Sequence, residues 1–552
     1  MRVLIFHGYL LSGTGSNVYN ARLAAALVAL GHEVHLLCQE RHPEDHPFIA
    51  TAGDWDAGTL RLHGSGPDGS EPPAPGSAGS CTIYRPNIGG LLPVYVADRY
   101  EGVEARAFTD CSDEEVARYV EANVEAVAEV CELVEPEVAL ANHLVMGPLV
   151  LARALAGKVP YAVKVHGSAL EYTVKPEPER FLEAAREGLA GARSVLVGSR
   201  HTALSLWAAI ADPRLPDRTR LGPPGVDVGR FSPREPRAAR EALNGLSTRL
   251  AHSSGVAGVD SVGSDAFARD EPAAARALAR IDSGEGRLVA FVGKLIVSKG
   301  VDLLLAAWPL VLERAPDARL VVVGFGAYRE GLEALIAALA AGDLEGARGI
   351  ALSGRALEAQ AAVMEHPPSA RDAADSPVGE ATPEPLHHLL AFFDSLGEEE
   401  AGRYLALAGD LGERVTLTGR LDHEEIAELL PACEALVVPS TFPEAFGMVA
   451  AEAAACGAFP VSAAHSGLAE VSDALARAIP PQAVPWLSFP LDAQAVRALA
   501  ACITGWLSAD PPLRAQTRAG LVATVRSRWS WEGVARGVIA AGSGDLETLS
   551  AP

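Results

Sequence analysis

The sequence predicts an α/β protein with two Rossmann-like units in one chain. Three observations carry this. The first forty residues read as strand, glycine-rich loop, amphipathic helix, glycine stop and strand. The same alternation restarts near residue 288, after a break. The length of 552 residues also exceeds what one hydrophobic core normally organises.

The first unit opens with the short apolar run Arg2–Phe6. A Gly/Ser-rich loop follows from Gly8 to Ser16, then an Ala/Leu-rich helical stretch from Val18 to Leu30, closed by Gly31. Glu33–Cys38 is the next strand, and a βαβ unit of this kind builds a parallel sheet. Further strands are expected at Val138–Ala141, Tyr161–Val165 and Ser194–Val197, so the N-terminal domain covers 1–225. The turn cluster Gly222-Pro223-Pro224-Gly225 ends it. Residues 226–286 read as a connector, because Ala238 to Glu285 is rich in Ala, Gly, Ser and charge and fits a helical or loose inserted segment.

The C-terminal domain, 287–512, starts at Leu288–Val292 and continues through Leu320–Val323, Val415–Thr418 and Ala435–Val438. Inside it, about 340–412 exceeds a minimal unit and contains Pro367, Pro368, Pro377, Pro383 and Pro385. This is expected to be a surface insertion, helical at its ends and interrupted by proline in the middle. Residues 513–552 are expected to form a terminal helix, and Glu71 to Ser80, rich in Pro, Gly and Ser, a mobile loop.

Composition removes several function classes. Hydrophobic residues at 49% and charged residues at 21% fit a soluble globular protein. A net charge of −24 argues against nucleic acid, which needs concentrated Lys and Arg to neutralise phosphate. The apolar runs are strand-length, so no transmembrane segment is expected, and Arg2–Phe6 is too short for a signal-peptide core. Seven scattered cysteines without zinc spacing imply reduced thiols, a cytoplasmic location and no metal.

The strongest chemical signal is Pro439-Ser440-Thr441-Phe442-Pro443-Glu444-Ala445-Phe446-Gly447-Met448 with Glu452 beyond it. It follows a buried strand and opens an Ala-rich helix. Backbone N–H groups around Phe446, Gly447 and Met448 would be first donors of that helix, suited to phosphate or sugar oxygens. Glu444 precedes the helix and Glu452 lies in its second turn, about 12 Å on by helical rise. One carboxylate can then meet a sugar ring and the other a ribose. Either Glu alone would read as a favourable helix-start charge or a solvated side chain. The whole string does not.

The second signal is Gly293-Lys294-Leu295-Ile296-Val297-Ser298-Lys299-Gly300, a loop leaving a buried strand. Lys294 and Lys299 can clamp a diphosphate and stabilise its departure in place of a metal. Alone they would be ordinary loop charges; a second loop of the same half carrying the Glu pair tips the reading. The third is Gly13-Thr14-Gly15-Ser16-Asn17 at the start of the first helix, weak by itself because tight strand-to-helix turns use glycine anyway. The fourth is His166, at the carboxyl end of a strand, where open α/β sheets place ligands. His143 is the lesser candidate, and His7 and His465 fit packing or capping roles.

The Glu444-x7-Glu452 string after Pro439-Ser440, continued by Cys456-Gly457-Ala458-Phe459-Pro460-Val461 and Ser466-Gly467, resembles the retaining GT-B glycosyltransferases of the large Glu-x7-Glu family (group 1, family 4-like). The resemblance spans both halves and both termini. It implies two Rossmann-like domains facing a central cleft and a terminal helix returning toward the first domain. It also implies a retaining transfer of a hexosyl group from a UDP- or GDP-sugar to a hydroxyl acceptor, with no metal or other cofactor. The acceptor would be a carbohydrate, a small molecule or a lipid-linked sugar.

Carried over by position, Lys294 and Lys299 hold the departing diphosphate and Glu444 the sugar hydroxyls. Glu452 holds the ribose, Gly13 and Gly15 lie beneath the phosphates, and His166 faces the donor sugar. The sequence departs from the family at Lys294, usually Arg, which keeps the charge but loses the two-pronged grip. It departs again at Ser466, usually Gly. The alternatives are a nucleotide-sugar epimerase of GT-B architecture, a non-catalytic nucleotide-sugar-binding protein, and a dehydrogenase that would leave Glu444 and Glu452 unexplained. Donor base, sugar, acceptor and oligomeric state are not encoded in these motifs.

Overall fold

The computed structural model describes residues 1–56, 58–64, 79–95, 103–253, 270–282, 286–358 and 384–552. The chain divides into two compact units, Met1–Gly225 with Arg528–Pro552, and Val226–Ser527.

The first unit is built on β1 (Arg2–Phe6), β2 (Glu33–Leu37), β3 (Ile49–Asp56), β4 (Thr59–Gly64), β5 (Cys81–Arg85), β6 (Leu91–Val94), β7 (Glu104–Ala107), β8 (Val138–Asn142), β9 (Tyr161–Val165), β10 (Ser194–Val197) and β11 (Thr219–Leu221). Nine of these form one sheet in the order β11-β10-β9-β8-β1-β2-β5-β3-β4, while β6 and β7 pair separately. Every ladder in the large sheet is parallel except β3 with β4. Side chains alternate across β1: Val3 and Ile5 enter one core, Leu4 and Phe6 the other. Burial on both faces is why this strand reads as an unbroken apolar run. The chain runs outward from β1 through β2, then returns to β8 on its other side. The order therefore reverses between β1 and β8, and ligand sites of open sheets form at such reversals.

The second unit holds β12 (Arg287–Val292), β13 (Ala318–Val323), β14 (Val415–Gly419), β15 (Cys433–Val438), β16 (Phe459–Ala463) and β17 (Ser488–Phe489). All run parallel in the order β14-β13-β12-β15-β16-β17, with the reversal between β12 and β15.

Three expectations change. The connector is part of the second unit: helices Pro236–Ser253 and Glu271–Asp282 pack on each other, the first also against His423–Leu429 and the second against β14. The insertion is not confined to the surface. Leu389, Phe392, Phe393 and Tyr404 are buried, and the Tyr404 hydroxyl donates to the Ala306 carbonyl at 3.0 Å. Apolar stripes on helices His387–Ser395 and Glu398–Ala408 supply part of the core. Pro367, Pro368, Pro377 and Pro383, like residues 71–78 of the expected loop, lie outside the described residues.

The tail is two helices rather than one. Pro511–Arg528 falls mainly in the second unit, and Trp531–Ser543 packs against helix Gly15–Ala29 and strands β8 and β9 of the first. Ser530 breaks the run by capping the second helix, its hydroxyl accepting from the Gly533 N–H at 3.3 Å.

Candidate functional site

The reversal in the second sheet brings the loops after β12 and β15 side by side. The Thr441 N–H donates to the Ser298 carbonyl at 2.9 Å. Gly300 lies so close to Pro439 that an added Cβ would stand 2.1 Å from its carbonyl oxygen, and its φ of +65° also demands glycine. The approach delivers Lys299 to Glu444: the ammonium pairs with Oε1, which also accepts from the Ser440 hydroxyl at 2.7 Å.

A third loop, after β16, completes the frame. The Ser466 hydroxyl accepts from the Glu444 N–H at 2.9 Å, and the Gly467 N–H donates to the Glu444 carbonyl at 2.9 Å. His465 Nε2 donates to the Ser440 carbonyl at 2.7 Å, while Nδ1 lies 3.0 Å from the Ser466 hydroxyl. Glu444 is thus held through backbone and side chain together. The loops leave it half-buried, and its partner Lys299 is equally so.

The helix itself is Met448–Cys456, with Gly447 as its N-cap at φ +136°. It starts later than the sequence reading assumed, so only four of the eight intervals from Glu444 to Glu452 are helical. The rise from Met448 to Glu452 is about 6 Å. The orphan helix donors shift correspondingly to Met448 and Val449, beyond Phe446, which is buried. Glu452 is 3% exposed, and its Oε1 lies 2.7 Å from His423 Nε2. His423 lies tilted against Phe231, ring centroids 4.7 Å apart, and its Nδ1 is buried without a partner. Lys294 is exposed, on the same loop as Lys299 but without hydrogen bond or ion pair among the described residues.

In the first unit, the carboxyl ends of β1, β8 and β9 gather His7, Asn142, His143 and His166. Helix Gly15–Ala29 adds Asn17 and Asn20. A chain of hydrogen bonds runs through them. His166 Nε2 meets Asn142 Oδ1 at 2.8 Å, and Asn142 Nδ2 donates to Asn20 Oδ1 at 2.8 Å and to the Phe6 carbonyl at 3.3 Å. Asn20 Nδ2 donates to His7 Nδ1 at 3.0 Å and to the Ser16 carbonyl at 2.9 Å. His7 Nε2 faces the Leu10 carbonyl at 3.0 Å and Asn17 Oδ1 at 3.1 Å.

Backbone carbonyls fix which way the Asn142 and Asn20 amides point, and the amides then fix the imidazoles. Both histidines must carry hydrogen on Nε2, because those atoms face only acceptors. Burial, reinforced by His143, Lys164 and His7, holds His166 well below the ordinary imidazole range. Burial takes His7 down to about 4 against its hydrogen bonds to Asn17 and Leu10. Neutral His166 therefore keeps a bare acceptor nitrogen at Nδ1.

His143 is 2% exposed at φ +69°, its ring 4.4 Å from Tyr95 and 4.9 Å from His166. Neither ring nitrogen has a hydrogen-bond partner, so packing is its role here. Gly13, at φ +92°, and Gly15, the first residue of its helix, are both exposed with open space where a side chain would go.

The structure joins Lys299 and Glu444, assigned from sequence to separate loops of the same half, in one ion pair, while Lys294 stays on the Lys299 loop without hydrogen bond or ion pair among the described residues. The sequence reading gave no role of their own to Ser440, His423, Asn20 and Asn142. Asn142 ends β8 beside His143, and a polar pair closing an apolar strand was the available signal. His423 had none, since its contact with Glu452 depends on tertiary packing.

Three family models match the chain: a glycosyl transferase 4-like domain over residues 14–225, and glycosyl transferases group 1 over 286–364 and again over 389–479. A D-inositol 3-phosphate glycosyltransferase from Segniliparus rotundus is 27% identical over 326 residues, 59% of this chain and 46% of that protein. A GDP-mannose-dependent alpha-(1-6)-phosphatidylinositol monomannoside mannosyltransferase from Mycolicibacterium smegmatis is 35% identical over 144 residues, 26% of this chain and 36% of that one. The chain thus spans less than half the length of these curated relatives.

Among solved structures, sucrose-phosphate synthase from Thermosynechococcus elongatus superimposes with a TM-score of 0.53 at 19% identity, covering 99% of this chain and 98% of that one. The catalytic domain of starch synthase IV from Arabidopsis thaliana gives 0.51 at 13%, covering 99% of each. These likenesses establish the GT-B fold. With both halves matched, the chain belongs to the glycosyl transferases of the group 1, family 4-like class.

Proposed function

We propose that the protein transfers a hexosyl group from a nucleoside-diphosphate sugar to a hydroxyl acceptor, with retention at the anomeric carbon and without a metal. The observation that carries this is the convergence of Lys299, Glu444 and the start of helix Met448–Cys456 at the reversal of the second sheet. A cation, a carboxylate and open helix donors within one frame match a diphosphate ester that carries a hydroxylated ring.

Lys299 and Lys294 stabilise negative charge on the departing diphosphate, assisted by the helix start. Glu444 exchanges part of its bond to Lys299 for sugar hydroxyls. Glu452 accepts a ribose hydroxyl with the oxygen that His423 leaves open. His166, fixed as a neutral acceptor at Nδ1, takes a hydrogen bond from a donor-sugar hydroxyl. The acceptor hydroxyl attacks from the leaving-group face and passes its proton to the departing phosphate oxygen. This dispenses with a dedicated enzymic base.

The names of the curated relatives specify GDP-mannose as a donor and inositol phosphate or phosphatidylinositol mannoside as acceptors. They support a phosphorylated or lipid-linked polyol as the first acceptor class to test. Among the described residues no helix is long and apolar enough to cross a membrane.

A screen of UDP-, GDP- and ADP-sugars against polyol phosphates and phosphatidylinositol mannosides, with and without EDTA, tests the reading. The expected product keeps the donor's anomeric configuration by NMR and forms at the same rate in EDTA. An inverted product, or abolition by EDTA with recovery on adding a divalent cation, would overturn retention or metal independence respectively. An epimerised donor in the absence of acceptor would favour the epimerase alternative.

A further inference from the structure

Helix Met448–Cys456 has a second end, and it opens on a cavity of about 490 Å³. Cys433, which starts β15, and Cys456 both line it, so it lies at the amino-terminal edge of the second sheet. Lys299 and Glu444 follow the carboxyl ends of their strands, at the opposite edge. Helix Met448–Cys456 alone puts about 12 Å between the two places.

Arg234, Arg518 and Arg526 line the cavity, in a chain whose net charge is −24. Glu434 is the carboxylate that answers this group. It accepts from Arg518 Nη2 at 2.6 Å and also pairs with Arg514 at 3.5 Å. Arg518 Nε is buried with no partner, a donor left unsatisfied. Arg234 and Arg526 make no hydrogen bond or ion pair among the described residues. The remaining wall is largely apolar, with Pro431 and Val522 prominent. Cations beside a helix carboxyl terminus complement its dipole, which would account for one arginine but not for a cavity between three.

We propose that this cavity is a second ligand site, taking a small organic anion: a phosphate monoester or carboxylate attached to an apolar body. Guanidinium forks match the planar or tetrahedral oxygens of such groups, and the volume suits a ligand of small-molecule size. The anion satisfies the orphan Nε and the two unpaired arginines, while the apolar body lies on Pro431 and Val522. The assignment is independent of the sugar-nucleotide reading.

Calorimetric titration of the full chain with phenyl phosphate, benzoate, inorganic phosphate and phenol tests it. Phenyl phosphate or benzoate is expected to bind saturably, at least tenfold more tightly than inorganic phosphate or phenol. Arg234→Gln/Arg526→Gln and, separately, the cavity-filling Val522→Trp should each weaken that binding at least tenfold, leaving UDP or GDP affinity and the thermal midpoint unchanged. Binding should survive in Lys299→Gln. Absence of saturable binding, equal affinity for inorganic phosphate, indifference to both cavity variants, or loss in Lys299→Gln would each refute the site.

Discussion

His166 illustrates how a single atom's chemistry is set by its neighbours. Its ring is neutral because burial above all, then the neighbouring His143, Lys164 and His7, disfavours the charged form, and its proton sits on Nε2 because Asn142 offers only an oxygen there. Asn142→Leu removes that oxygen and frees the tautomer. The expected result is mixed Nδ1–H and Nε2–H populations in imidazole ¹⁵N spectra, with turnover reduced about tenfold, a loss of hydrogen-bond size. An unchanged tautomer would show that another group fixes the ring. Glu452 makes a parallel case: one oxygen lies against His423 and the other has no partner. If Glu452 holds the ribose as proposed, Glu452→Gln should weaken nucleoside-diphosphate affinity about tenfold while the related free base binds no differently.

Ser466 and Gly467, the first two residues of helix Ser466–Ala476 after β16, solve different problems, and their variants should diverge. An added Cβ at Gly467 would stand 2.6 Å from the Phe446 nitrogen, so Gly467→Ala must push the Glu444 segment away. It should cost about 2 kcal/mol of stability, read by denaturant titration, and raise the donor KM. Ser466 holds φ +50°, where a glycine would rest without strain, but its hydroxyl is what receives the Glu444 N–H. Ser466→Gly should leave stability within about 1 kcal/mol of the parent, relief offsetting the lost bond, yet still raise the donor KM. Helix Val301–Arg314 carries its own pH response through Asp302, which is 3% exposed. Burial, opposed by its bonds to the Asp302 and Leu303 N–H groups, raises its carboxyl to about 7. The raised value means the folded state holds a proton that the unfolded state has released between about pH 4 and 7. This stabilisation is therefore full below the unfolded value and lost as pH climbs through 7. Asp302→Asn should flatten that slope, gaining about 2 kcal/mol over the parent at pH 8 and little near pH 4.

Across the whole molecule, what was legible followed from periodicity and what was not followed from packing. Runs such as Leu320–Val323 show themselves because strands buried on both faces are continuously apolar. In contrast, β3 and β4 contain Gly53, Asp54, Asp56 and Arg61 and pair near an open edge, where alternation is diluted. The loops bearing Lys299 and Glu444 could be read singly from sequence, but their meeting required the strand order. Helices Pro511–Arg528 and Trp531–Ser543 meet at Ser530, which caps the second. Gly542 belongs to the second of these, and an added Cβ there would stand 2.2 Å from Val138 Cγ2. Gly542→Leu should accordingly lower the thermal midpoint by several degrees, as steric overpacking against a sheet does. The proposed transfer requires a sugar-nucleotide diphosphate held by the loops after β12 and β15. Calorimetric titration of UDP and GDP into the parent and Lys299→Gln tests this most directly. The expected result is saturable binding of one nucleotide by the parent, weakened at least tenfold in the variant at unchanged thermal midpoint. Equal affinity in the two proteins would contradict it.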